Sequence, residues 1–180
     1  MTNTRACGAR VWIASMTAPI FGAVALIVAL LVMGAATAGA GERTLLAVDS
    51  NHVAIKGYDP VAYFTDRKAI KGDGRFVYVY DDAKWQFASA AHRDMFLADP
   101  DHYMPQYGGF CAACVARKLC AGLIDLAPAD PEAWAIVDGK LYMVASKKDL
   151  DQWRAHSAEN IRQADIHWAA KQKRRVSLQQ

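Results

Sequence analysis

The chain has 180 residues, 53% of them hydrophobic, a formal net charge of +3 and four cysteines. That length holds one domain with a short appendage and excludes a large multi-domain enzyme. A content of 22% charged and 10% aromatic residues excludes a wholly disordered chain, and +3 is too weak a charge for phosphate tracking, so no nucleic-acid partner is expected.

The apolar residues are unevenly spread. From Val11 to Gly41 there is no charged side chain, and Arg5 and Arg10 stand just before that stretch. Small residues close it, with Ala36-Thr37-Ala38 and Ala38-Gly39-Ala40 as candidate cleavage sites. A basic start, an apolar run and a small-residue end are the three parts of a secretory signal peptide. The alternative is a retained membrane anchor, because the stretch exceeds the roughly 20 residues that span a bilayer. Residues 1–40 are therefore expected to be a signal peptide or anchor. Either places the folded part outside the cytoplasm, in the periplasm or at the inner membrane, and membrane contact is expected only through this segment.

The remaining chain shows no internal repeat and no low-complexity linker, so residues 41–170 are expected to form one domain. Val53-Ala54-Ile55 precedes Lys56-Gly57-Tyr58-Asp59-Pro60, a turn in which Gly permits positive φ and Pro fixes φ. Val61-Ala62-Tyr63-Phe64 is a short buried element of open type. The β-branched and aromatic run Arg75–Tyr80 predicts a strand, Asp81-Asp82-Ala83 a turn, and the alternation Lys84–Ala88 a second strand. Ser89 is placed to cap a helix through Met95 and Phe96 that stops at Asp99-Pro100. A helix is expected over Phe110–Leu119. Ala133–Val137 and Leu141–Val144 flank Asp138-Gly139-Lys140, a hairpin signal. Ser146 with Asp149 forms a capping-box pattern, and a last helix carries Ile161, Ala164, Ile166 and Trp168. Lys171, Lys173, Arg174 and Arg175 make residues 171–180 a basic tail, suited to a helix C-terminus. The sum is an α+β fold of short antiparallel hairpins, small helices and C-terminal helices.

The strings Gly-Tyr-Asp-Pro-Val-Ala-Tyr-Phe (57–64), Trp-Gln-Phe-Ala-Ser (85–89), Phe-Leu-Ala-Asp-Pro (96–100), Pro-Gln-Tyr-Gly-Gly-Phe-Cys-Ala (105–112) and Asp-Gly-Lys-Leu-Tyr (138–142) resemble the YHS-domain family, in particular its exported single-domain members. The resemblance runs from Gly57 to about Trp168. It implies a core related to a treble clef and a link with heavy-metal handling. In the metal-associated branch, cysteines follow Asp-Pro-Val and stand at both ends of the turn into the helix. Here those positions hold Ala62, Ala88 and His92. Of the three, only His92 keeps a ligating side chain, through its imidazole.

Cys7 lies in the leader, leaving Cys111, Cys114 and Cys120. On a helix Cys111 and Cys114 share a face. Such a pair can hold a soft or borderline ion of the copper or zinc class with further ligands, and Cys120 or His92 would be the third. The alternatives are a disulfide by any of three pairings, a redox dithiol, or thiols packed as small hydrophobes. Val115 follows Cys114, so no haem attachment is expected, and no phosphate-binding loop or nucleophile elbow is present. Nothing in the sequence requires catalysis. Tyr58 and Asp59 with Gly108 and Gly109 form a second, weaker candidate: a small ligand pocket, if the two motifs meet in space.

The expected function is an exported binding module taking a copper- or zinc-class ion through cysteine thiolates. The alternative is a module that binds a protein or small ligand, with structural cysteines. A thiol-disulfide oxidoreductase is the third reading.

Overall fold

The elements follow from local chemistry, beginning with the first hairpin. The computed structural model describes residues 45–117 and 126–178. Strands β1 (Asp73–Tyr80) and β2 (Ala83–Phe87) pair antiparallel, with Tyr80 opposite Ala83. Asp81 and Asp82 form the two-residue turn at φ 50° and 59°. Two left-handed residues match the twist of the flanking strands, and Asp tolerates that region better than most side chains. Register slips between Asp73 and Val77, a bulge near the start of β1.

Before this hairpin, Ile55–Gly57 form a tight turn with all three residues left-handed, at φ 41°, 54° and 73°. For β-branched Ile55 that conformation is an outlier that sequence alone did not signal. Val61–Phe64, open in type from the sequence, lies in the short helix α1 (Ala62–Thr65) and at its start. After β2, helix α2 (Ala90–Ala98) begins where expected, with Ser89 Oγ accepting the His92 N–H at 3.1 Å. Asp99 caps the next short helix, α3 (Pro100–Tyr103), through the His102 N–H, with Pro100 at the first helical position.

Tyr107, Gly108 and Gly109 make a second left-handed turn. A Cβ on Gly108 would lie 1.7 Å from the carbonyl oxygen of Leu45, so close backbone approach demands glycine there. The helix expected over Phe110–Leu119 is, among the described residues, α4 (Ala112–Ala116), with Cys111 as its cap and Arg117 after it. Residues 118–125 lie outside the described residues. Strands β3 (Trp134–Val137) and β4 (Lys140–Met143) form the second hairpin through Asp138 and Gly139, both left-handed. Ser146 caps α5 (Lys147–Ala155) by accepting the Asp149 N–H at 3.1 Å and donating its hydroxyl to Asp149 Oδ2 at 2.7 Å. Helix α6 (Ser157–Leu178) then runs on through the expected basic tail. Two separate two-stranded sheets with flanking helices make this an α+β fold.

The β3–β4 hairpin divides two apolar cores. Leu141 and Met143 face a core with Trp85, Phe87, Phe96, Tyr63 and Val61, all with at most 1% exposure. Tyr142 and Val144 face the other, with Cys111, Ala112, Val115, Trp153 and Ala164. Strand alternation sends successive side chains to opposite faces, which is how one four-residue strand serves both. Burying each large side chain contributes about 1.5–3 kcal/mol, so the aromatic core under β1–β2 supplies much of the stability.

Candidate functional site

Among the described residues, Asp59 is the charged residue that the fold fully encloses, at 0% exposure. Its Oδ1 accepts the backbone N–H of Val61 at 2.8 Å and of Ala62 at 3.3 Å, the local bonding an Asp-Pro turn provides. Its Oδ2 accepts the Ala88 N–H at 2.7 Å and lies 2.6 Å from His92 Nδ1. One carboxylate thus ties the start of α1, the end of β2 and the start of α2. Burial of such a group is tolerable only because its lone pairs are used.

His92 is placed by its Ser89 cap and oriented by Asp59. With Nδ1–H donating to the carboxylate, Nε2 carries the free lone pair. That nitrogen lies 3.6 Å from Asp66 Oδ2 and 3.5 Å from Thr65 Oγ1. The His92 side chain is 17% exposed and that of Asp66 41%, so the pair lies at the protein surface. Thr65 donates its hydroxyl to Asp66 Oδ2 at 2.6 Å, which holds the carboxylate beside the imidazole. The arrangement offers a fixed imidazole donor with an adjacent carboxylate oxygen.

The thiolate site expected from the sequence is not what this geometry presents. Cys111 and Cys114 are joined as a disulfide, so neither is a free thiolate. Cys111 is 0% exposed, and its Sγ accepts the Cys114 N–H at 3.2 Å. Ala62, at a position where the metal-associated pattern has a thiol, is fully buried. His92 spends one ring nitrogen on Asp59, and Cys120 lies outside the described residues. Among the described residues, no group of three or more His, Cys, Asp and Glu side chains is arranged around a common point.

The residues of the second candidate, Tyr58, Asp59, Gly108 and Gly109, have different surroundings. Gly109 lines a shallow cavity of about 190 Å³ with Ala47, Val48, Asp49, Ile55, Lys56, Pro128 and Ala129, but Tyr58, Asp59 and Gly108 are not part of its wall. Gly108 is packed against Leu45, and Asp59 points to Ala88 and His92. Tyr58 turns elsewhere, its hydroxyl 3.3 Å from Glu132 Oε1 and its ring 4.7 Å from Lys71 Nζ. Desolvation, and then the charge of Glu132, raises the Tyr58 phenol above its ordinary value. Asp66 and Thr65 were absent from the sequence candidates. Only their position at the end of the short helix α1, a few residues after Asp59-Pro60, signalled that they would stand beside the His92 ring.

The stretch expected to be a signal peptide or anchor lies outside the described residues; among those described, no helix is long and apolar enough to cross a membrane. Comparison with known family models, curated proteins and solved structures returns no match for this chain.

Proposed function

We propose that the chain is an exported binding module for a borderline metal ion of the copper or zinc class, held by imidazole and carboxylate rather than by thiolates. The observation that carries this is the Asp59–His92 pair, with Nδ1 engaged at 2.6 Å and Nε2 left beside Asp66. Metal-ligating histidines characteristically give their other ring N–H to a carboxylate, which fixes the tautomer and raises ligand basicity. His92 Nε2 and Asp66 would be the two protein donors, Asp59 the group that orients the imidazole. Two protein ligands leave positions for water or for a donor from a partner, which suits transfer rather than permanent storage. The YHS resemblance supports the class of ligand, and the charge-free leader supports an oxidising compartment in which the cysteines pair.

Titration with Zn²⁺ and with Cu²⁺ tests the reading. His92→Ala is expected to weaken binding at least about tenfold, the effect typical of losing a ligand or its orienting partner. Asp66→Asn is expected to weaken it as well, while a Cys111→Ser, Cys114→Ser double variant binds like the wild type. Equal binding by wild type and His92→Ala would overturn the assignment.

The second reading, a module for a protein or small ligand with structural cysteines, is favoured by the disulfide, whose Cys111 is enclosed in the core, and by the cavity around Ile55 and Gly109. It becomes the better account if no variant distinguishes itself in the metal titrations.

A further inference from the structure

Cys111 and Cys114 are disposed unequally. Cys111 is 0% exposed, in the core with Ala112, Val115 and Trp153, whereas Cys114 is only partly buried and packs on that core from its margin. An attacking thiolate must reach one sulfur of a disulfide in line with the bond, so access selects the sulfur. Of the two residues, Cys114 is the one the fold does not fully enclose.

The departing sulfur is provided for. Cys111 Sγ accepts the Cys114 backbone N–H at 3.2 Å, a donor it shares with Cys111 O at 3.0 Å, so negative charge developing on the sulfur meets a donor already in place. A stabilised leaving thiolate speeds exchange. The backbone around it is held independently of the S–S bond: the Cys111 N–H donates to Ala127 O at 2.9 Å, and Cys111 O accepts the N–H groups of Cys114 and Val115, each at 3.0 Å. Breaking the disulfide therefore leaves the turn and α4 bonded as before. The sequence separation is three, and closing so short a loop removes little entropy from the unfolded chain. As a staple this disulfide sits at the low end of the usual range, which leaves room for a role in chemistry.

We infer that Cys111–Cys114 is a reversible thiol–disulfide exchange site, in which Cys114 Sγ is the sulfur attacked and Cys111 Sγ the sulfur released. An external thiolate, from a small thiol or a reduced protein dithiol, forms a bond to Cys114 Sγ as the S–S bond breaks, and the electron pair goes to Cys111 Sγ. A second thiol of the reductant attacks the external sulfur of this mixed disulfide and releases the Cys114 thiolate. Two external thiols are oxidised to one disulfide, and the protein disulfide is reduced by two electrons. The inference is independent of metal binding at His92.

The full chain is incubated with reduced glutathione, quenched in acid and mapped by peptide mass spectrometry. The expected products are a glutathione adduct on Cys114 and recovery of the disulfide on reoxidation, with circular dichroism unchanged throughout. Single variants give the second measurement: Cys114 in Cys111→Ser should alkylate with iodoacetamide at least about tenfold faster than Cys111 in Cys114→Ser, as exposure dictates. An adduct mapped to Cys111, faster alkylation of Cys111, or a disulfide that opens only when the protein unfolds would each overturn the inference.

Discussion

Replacing Asp59 by Asn changes one atom of a fully buried side chain and tests whether the carboxylate organises the site. Asn Oδ1 can keep the Val61 and Ala62 N–H bonds, but the amide nitrogen that replaces Oδ2 faces the Ala88 N–H at 2.7 Å and the His92 ring at 2.6 Å. Donor then meets donor at Ala88, and no change of imidazole tautomer repairs that contact. Hydrogen bonds to a charged acceptor contribute about 1.5–3 kcal/mol, and a buried donor left unpaired costs about 1–3 kcal/mol. A net loss of about 3 kcal/mol follows, with the His92 contact partly recovered by its other tautomer. His92→Ala removes one bond to that carboxylate at a side chain 17% exposed and leaves Asp59 with three backbone donors, so it should cost about 1.5 kcal/mol, the low end of that range. In a domain of this size, 1 kcal/mol moves Tm by about 2–4 °C, so the Asn variant should melt about 6–12 °C below wild type. Urea unfolding followed by fluorescence, with buried Trp85 among the reporters, measures both variants. If Asp59→Asn loses less than about 1 kcal/mol, or His92→Ala proves the more damaging, the carboxylate is not the organising group.

Two further expectations concern packing and pH. Gly108→Ala should cost about 3 kcal/mol or more, because its Cβ would fall 1.7 Å from Leu45 O at φ +63°. Gly74→Ala, with open space around its Cβ, should be neutral within about 0.5 kcal/mol, and comparable denaturation midpoints for the two would refute the close-approach argument. Burial, and then its hydrogen bond to Asp165 at 2.9 Å, raises the Tyr107 phenol above its ordinary value; burial, and then Glu132, does the same to Tyr63. The unfolded chain therefore releases these protons first. Stability from them is complete below pH about 10 and declines as pH rises beyond it. Tyr107→Phe should flatten that alkaline decline in unfolding free energy, and an unchanged slope would remove Tyr107 as its cause.

How much of this was legible beforehand differs between elements. The β1–β2 and β3–β4 hairpins, the Ser89 and Ser146 caps and the stop at Asp99-Pro100 each rest on contacts within a few residues, so local patterns sufficed. The left-handed backbone at Ile55 and Tyr107 was not legible, because it arises where two turns pack together: a Cβ on Gly109 would touch Ile55 Cγ2 at 3.0 Å. The candidate site was half legible. Asp59 and His92 each stood out, but in separate proposals, one for a ligand pocket and one for a thiolate metal site. Nothing local joins residues 33 positions apart; the hairpin between them does so by returning β2 to the Asp-Pro turn.

The amino-acid sequence by itself determined the uneven charge of the chain, its uncharged apolar N-terminal stretch, the α+β order of elements and the presence of a Cys-x-x-Cys pair, since these depend on composition and near-neighbour chemistry. Only the tertiary structure decided that Cys111 pairs with Cys114, which of the two is fully enclosed, and that the enclosed carboxylate of Asp59 holds the imidazole of His92. Those outcomes depend on burial and on contacts between distant segments, and burial is a property that no single stretch of sequence possesses.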